Sequence, residues 1–239
     1  MLRAITFVCV AVLSAGIAFA LDDTNEGEKR TKLVATRAET WSFDTDKPGE
    51  TPKGFETEVG EWKVVADASA PSKPHVLGQK AKSSGPTFNV LLAADAKRKD
   101  VVLSVRMKAV AGDVDQGGGV VWRAKDAKNY YIARFNPLED NYRVYKVVEG
   151  KRTQLGTAEV TAPDGWLTLK VAMHGNHIEC FLDNKKHLDA KDDTFKDAGR
   201  VGLWTKADAQ TQFDDLKASD ANGQDRGKDS EKQDAEGKK

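Results

Sequence analysis

Cysteine is nearly absent from this chain. There are two, Cys9 and Cys180, and Cys9 lies in an apolar run at the very start. Without that run Cys180 has no partner in its own chain, so no internal disulfide can brace the fold. A charge excess is also missing: Lys and Arg number 37, Asp and Glu 37. Nucleic-acid surfaces depend on net positive charge, so this balance argues against DNA or RNA as a partner. Histidine is sparse. His75, His174, His177 and His187 are the four. His174 and His177 flank Gly175-Asn176 in a turn, where a metal site would need further ligands. No Ser-His-Asp or Cys-His arrangement can be assembled from neighbouring residues. Long helical periodicity is missing between Leu33 and Ala218, and no segment repeats at a fixed period, which argues against helical bundles and propellers.

What is present begins with the ends. "MLRAITFVCVAVLSAGIAFA" has one early cation, Arg3, then an uncharged apolar run closing on Ala18-Phe19-Ala20. That pattern is a secretory signal peptide with a small-x-small cleavage site. It predicts a secreted or periplasmic protein with no membrane span after cleavage. Residues 21–39 form a polar segment. Residues 219–239 ("SDANGQDRGKDSEKQDAEGKK") carry no aromatic or β-branched residue and cannot bury enough apolar area to offset chain entropy. They are expected to form a disordered charged tail, leaving 40–218 as one domain.

That domain reads as all-β. Thirteen short runs rich in β-branched and aromatic residues can be marked, from "ETWSFD" through "GEWKVVAD", "DVVLSVRMKAV" and "NYYIARFN" to "RVGLWTK" and "TQFDDLKA". Turn residues such as Glu149-Gly150, Asp164-Gly165 and Asp183-Asn184 punctuate them. The expectation is a two-sheet antiparallel β-sandwich. Cys180, in "HIECFLD", is expected to be a buried small hydrophobe.

Alternation assigns faces. Val101, Leu103, Val105 and Met107 share one side of their strand, and Leu167, Leu169, Val171 and Met173 share one side of theirs, which makes both sets core-facing. Applied to "GGGVVWRAKDAKNYYIARFN", the rule sends Val120, Trp122, Tyr131, Ala133 and Phe135 inward. It leaves Arg123, Tyr130, Arg134 and Asn136 on the other side, joined by Trp204 from "GLWT". In "YRVYKV", Arg143 and Tyr145 belong with this set, unless a bulge exchanges them for Tyr142 and Val144. The expectation is a solvated face where flat rings stack on sugars and arginine forks hold oxygen-rich groups.

The segments "GGGVVWRAKDAKNYYIARFNPLEDNYRVYKVVEGKR", "GWLTLKVAMHGNHIECFLDNKK" and "DDTFKDAGRVGLWTKADAQTQFDDLKA" together resemble the concanavalin A-like lectin/glucanase superfamily. Within it they are similar to secreted bacterial laminin-G-like and 3-keto-disaccharide-hydrolase-like domains of unknown function. The resemblance runs from about Trp41 to Ala218. It implies a jelly roll of two curved sheets, with carbohydrate on the concave one. It also implies a calcium ion joining the first strand to the last. Asp44 and Asp46 ("FDTD") with Asp214 and Asp215 ("FDDL") could supply carboxylate oxygens for such a structural ion, and no other cofactor is expected. The E-x-D-x-x-E pattern of the related glucanases is absent.

Three functions follow. The first is a secreted module binding carbohydrate or a glycoconjugate through Arg123, Tyr130, Arg134, Asn136, Arg143, Tyr145 and Trp204. The second is a glycoside-processing enzyme, which would need two positioned carboxyl groups. Glu139 and Asp140 lie in "NPLEDN", which reads as a turn, and no acidic pair shares a strand face. The third is a cell-envelope module whose sheet face contacts protein.

Overall fold

A computed structural model describes residues 38–221. The signal-peptide reading of residues 1–20 lies outside the described residues, as do most of the N-terminal segment and of the tail. Fifteen strands and no helix make up the described part. In chain order the first eight are β1 (Ala38–Trp41), β2 (Phe55–Val59), β3 (Trp62–Ala66), β4 (His75–Gln79), β5 (Phe88–Arg98), β6 (Val101–Ala111), β7 (Gly118–Asp126) and β8 (Asn129–Asn136). They are followed by β9 (Asn141–Val148), β10 (Lys151–Glu159), β11 (Leu167–His174), β12 (His177–Leu182), β13 (Lys185–Lys191), β14 (Gly199–Lys206) and β15 (Gln210–Asp220). The last strand runs two residues past the expected domain boundary at Ala218, with Ser219 paired to Ala38.

The strands form two antiparallel sheets. One has the order β13-β12-β11-β6-β15-β4-β3, with β1 added on β15; the other has the order β10-β9-β8-β7-β14-β5-β2. This is the two-sheet β-sandwich expected from the alternation. Tight hairpins supply the connections. Glu149-Gly150 and Asp183-Asn184 both have positive φ at two successive residues, the twist that two-residue hairpins favour.

The inter-sheet core is the periodic set. Val101, Leu103, Val105, Met107, Leu169, Val171 and Met173 meet Val120, Trp122, Tyr131, Ala133 and Phe135 in one cluster. Cys180 is in that cluster, fully buried. Burial holds its thiol protonated by raising the pKa.

Arg98, at the end of β5, joins the two ends of the domain. It is 2% exposed and reaches Glu39 of β1 and Asp220 of β15, each at 3.1 Å. The first and last strands are thus tied by a guanidinium.

A second polar knot pins the loop between β13 and β14. The Tyr131 hydroxyl donates to Asp192 Oδ1 at 2.7 Å, and Lys146 Nζ donates to Asp192 Oδ2 at 2.8 Å. Burial alone would raise the Asp192 carboxyl, but Lys146, Thr194 and Tyr131 outweigh it and bring it down to about 2. Asp67 behaves alike: burial opposes ionisation, and Lys108 with Ser69 prevails, again to about 2. A depressed folded pKa stabilises the fold above the unfolded value near 4, and that contribution is lost as pH falls through the folded value. The melting temperature is therefore expected to drop between about pH 4 and pH 2. Asp192→Asn should flatten part of that drop, and an unchanged profile in this variant would disprove the assignment. Asp214 acts with the opposite sign and above this window, because burial raises its pKa.

Candidate functional site

The candidate face is the side of the seven-stranded sheet turned away from the inter-sheet core. Register lines its residues up in rows. Val90, Trp204, Gly119, Arg134, Arg143 and Thr157 pair in succession across β5, β14, β7, β8, β9 and β10. The next row is Leu92, Gly202, Val121, Ile132, Tyr145 and Gln154. A third holds Tyr130, Val147 and Arg152. The alternation therefore placed Tyr130, Arg134, Arg143, Tyr145 and Trp204 together correctly, and the bulge that would have swapped Tyr142 and Val144 into this face does not occur. Those two lie in the inter-sheet core.

The expected solvation is corrected. Val90, Leu92, Val121, Ala124, Tyr130, Ile132, Tyr145, Val147 and Trp204 form a second buried apolar cluster, with Phe88 packed against it. Tyr130 and Trp204 are fully buried, and Trp204 Nε1 donates to the Tyr130 hydroxyl at 3.0 Å. Burial raises the Tyr130 phenol, so it stays protonated. Among the described residues, Arg152 lies across this floor. Its guanidinium carbon is 4.4 Å from the Tyr145 ring centre, 5.4 Å from Phe88 and 5.9 Å from Trp204. The rings are therefore packed by each other and by a cation, the arrangement that cation–π attraction favours.

Beside the floor is a polar cluster. Arg134 is 1% exposed. Its Nη2 donates to Glu139 Oε2 at 3.1 Å, and its Nη1 stands 3.8 Å from Asp115 Oδ1. Glu139 Oε2 also accepts from Arg143 Nη1 at 3.1 Å and from Asn141 Nδ2 at 2.9 Å. The Asn141 hydrogen bond, then the two guanidiniums, hold the Glu139 carboxyl below its usual range against the opposing effect of burial. Asp115 is buried and takes Asn136 Nδ2 at 3.1 Å and Lys206 Nζ at 3.0 Å. Three donors are left over. Arg134 Nε and Nη1 and Arg152 Nη1 are buried with no hydrogen-bond partner. Such groups are rare in folded proteins and mark places where a ligand or water is needed.

Two expected members play other parts. Asn136 accepts from the backbone amides of Leu138 and Glu139 while its amide holds Asp115, so it shapes the turn before β9. Arg123 leaves the face altogether. Its φ is +46, and the β7–β8 register slips between Trp122 and Asp126. The bulge turns its side chain to the end of the sandwich. There Nε donates to the Lys99 carbonyl at 2.6 Å, and Nη1 to Phe195 O and Nη2 to Gly175 O, both at 2.7 Å. It is a structural clamp.

The four aspartates considered for calcium have separate partners. Asp44 Oδ1 accepts from His75 N, and Asp46 Oδ1 from Lys53 N. Asp214 accepts from both the amide and the hydroxyl of Ser72, and Asp215 lies 3.8 Å from Lys217. Among the described residues, three potential ligand atoms approach within 4.8 Å of one another at His177, Glu179 and Asp189. Lys186 already bridges Glu179 and Asp189, at 3.0 and 3.3 Å.

The sequence model of the 3-keto-alpha-glucoside-1,2-lyase-like domain matches residues 39–218, which is nearly all of the sandwich. The chain belongs to that family. Members of the 3-keto-alpha-glucoside-1,2-lyase-like domain family are not its sole likeness. The levanase of Bacillus subtilis (strain 168) is 26% identical over 159 residues, which are 65% of this chain and 22% of the levanase. The chain thus spans about a fifth of that curated relative. Among solved structures, the carbohydrate-binding module CBM66 from Bacillus subtilis superposes with a TM-score of 0.59 at 22% identity, covering 72% of this chain and 98% of the module. A protein of unknown function with a galectin-like fold, also from Bacillus subtilis, gives 0.54 at 10% identity, covering 71% of this chain and 91% of its own. These likenesses place the domain in the concanavalin A-like jelly-roll class.

Within this 3-keto-alpha-glucoside-1,2-lyase-like domain, three site residues escaped the sequence reading. Asp115 lies in the loop between β6 and β7 and Lys206 is the last residue of β14, both beyond the alternating core of any run. Arg152 sits on β10, an edge strand whose residues are all at least partly exposed. Its pairing with Val147 puts it on the candidate face, a signal available only once the β9–β10 hairpin register is known. Among the described residues, no helix is long and apolar enough to cross a membrane.

Proposed function

We propose that the outer face of the seven-stranded sheet binds carbohydrate or a glycoconjugate. One observation carries the reading: an aromatic floor of Phe88, Tyr145 and Trp204 lies beside two guanidiniums with unused donors. Phe88, which is only partly buried, offers apolar surface to a sugar C–H face, the buried Tyr145 and Trp204 rings back it, and fixed N–H groups orient the hydroxyls. The family and the carbohydrate-binding module of like fold support it. The same reading sets the protein outside the cytoplasm, secreted or periplasmic.

Catalysis is the second reading, favoured by the two carboxylates, Asp115 and Glu139, that reach Arg134 from opposite sides. Glu139 is held ionised by three donors, which makes it a poor proton acceptor or donor near neutral pH. Binding is therefore the better account.

The test pairs two variants of similar cost to the fold. Trp204→Ala and Phe135→Ala should each lose about 3–5 kcal/mol of stability, because both rings are buried. Phe135 faces the inter-sheet core, so Phe135→Ala should keep sugar binding while it remains folded. Trp204→Ala should weaken binding by at least about tenfold. Glycan-array hits confirmed by calorimetry provide the readout. Equal loss in both variants, or none in either, counts against this face. Release of new products from the same glycans would favour catalysis.

A further inference from the structure

We infer that the sugar taken by this face is an acidic one, carrying a carboxylate of the hexuronate type. The inference rests on the carbohydrate reading above and narrows it. Four cations border the floor, Arg134, Arg143, Arg152 and Lys206, and two carboxylates answer them, Asp115 and Glu139. Both acids are already shared. Glu139 Oε2 receives Arg134, Arg143 and Asn141; Asp115 receives Asn136 and Lys206 and faces Arg134. Arg152 has no carboxylate partner among the described residues, and its contacts are the rings of Tyr145, Phe88 and Trp204.

Charge and hydrogen bonding point the same way. A guanidinium taken partly out of water needs a counter-charge as well as acceptors. Sugar hydroxyls would satisfy the free Arg134 Nε and Nη1 and Arg152 Nη1 but would leave Arg152 with no carboxylate in contact, Asp115 and Glu139 acting on it only from a distance. A carboxylate does both. Its two oxygens match the guanidinium fork, which makes a two-pronged contact with a carboxylate. A uronate ring also keeps a C–H face for the partly exposed Phe88 at the edge of the floor, 5.4 Å from the Arg152 guanidinium, so one monosaccharide can meet apolar surface and arginine together.

Calorimetry on the full chain tests this with four probes: oligogalacturonate, a glucuronate-bearing oligosaccharide, matched neutral oligosaccharides, and a sulfated galactan. At least one uronate probe should bind about tenfold or more tightly than its neutral match. That preference should shrink as salt rises from about 50 to about 500 mM, because screening weakens charge pairing. Arg152→Gln should bring the preference close to one. Arg152→Lys, which keeps the charge, should retain part of it. Should Arg152→Gln fail to fold, Arg152→Lys and the salt response decide. A neutral sugar binding as well as the uronate would overturn the inference and leave the carbohydrate reading standing. Tight binding of the sulfated galactan alone would overturn the carboxylate assignment. If no sugar of any kind binds, the carbohydrate reading fails and takes this inference with it.

Discussion

Arg123→Ala is expected to lower the free energy of unfolding by about 3–5 kcal/mol, the range for removing one member of a buried, hydrogen-bonded charge cluster. The side chain is 2% exposed and meets three backbone carbonyls, those of Lys99, Gly175 and Phe195, and the Asp100 carboxylate. These belong to three separate connections: β5 to β6, β11 to β12, and β13 to β14. One guanidinium thus staples turns from both sheets at one end of the sandwich. Truncation would remove the donor from three carbonyls, at about 1–3 kcal/mol for each one left unsatisfied. Arg123→Lys should rescue little, because an ammonium cannot span the fan of acceptors that a planar fork reaches. Urea denaturation measures the loss. Hydrogen exchange at the Gly175 amide, which donates to Asp100 Oδ1 at 2.8 Å, would show where the structure opens. Arg200→Ala is the comparison. Its partners Glu56 and Glu58 are 61% and 25% exposed, so water can replace part of what it loses, and its loss should be the smaller one. A similar small loss for Arg123→Ala would refute the clamp.

The contrast between Arg123 and Arg134 shows what the alternation could deliver. Both arginines follow the same period from an apolar neighbour, and both were assigned to one face. Arg134 is there, because β8 pairs without a break from Tyr130 to Asn136. Arg123 is not, because a single bulged residue at positive φ reverses the phase. A bulge depends on how neighbouring strands meet, and nothing local in "VVWRAKD" announces it. The missed strands have a similar cause. β2 ("FETEV") and β13 ("KKHLDAK") each lie at a sheet edge and are mostly exposed. Edge strands carry charge that discourages further pairing, and that same charge hides them from a hydrophobic pattern. Burial of Tyr130 and Trp204 was hidden too. Period tells which side of a sheet a residue occupies, not whether that side is wet. The outer-face set of Val90, Leu92, Val121, Ile132 and Val147 was the available hint, since a solvated sheet face seldom carries so many aliphatic residues.

Gly119→Ala should be more disruptive than its size implies, at about 4 kcal/mol or more, enough to threaten folding outright. A methyl group on Gly119 would stand 1.8 Å from the Ala133 carbonyl oxygen and 2.8 Å from Arg134 Cα. Both obstacles are backbone, which no rotamer change can move. The glycines before it are as confined: a Cβ on Gly118 would meet the Trp204 carbonyl at 2.5 Å, and one on Gly117, at φ +72, the Phe135 carbonyl at 2.3 Å. The run "GGG" is therefore the place where β7 enters closely between β8 and β14, a role that glycine serves by lacking a side chain. Gly119 also sits in the row between Trp204 and Arg134. Forcing the strands apart there would separate the aromatic floor from the arginine cluster, so any folded fraction should bind sugar poorly. Gly85→Ala is the control. Its Cβ would find only Val114 Cγ1 at 3.8 Å, an ordinary contact. Circular dichroism, denaturation midpoints and calorimetry on the two variants give the answer. If Gly119→Ala matches Gly85→Ala in stability and in binding, the close approach is not what holds this face together.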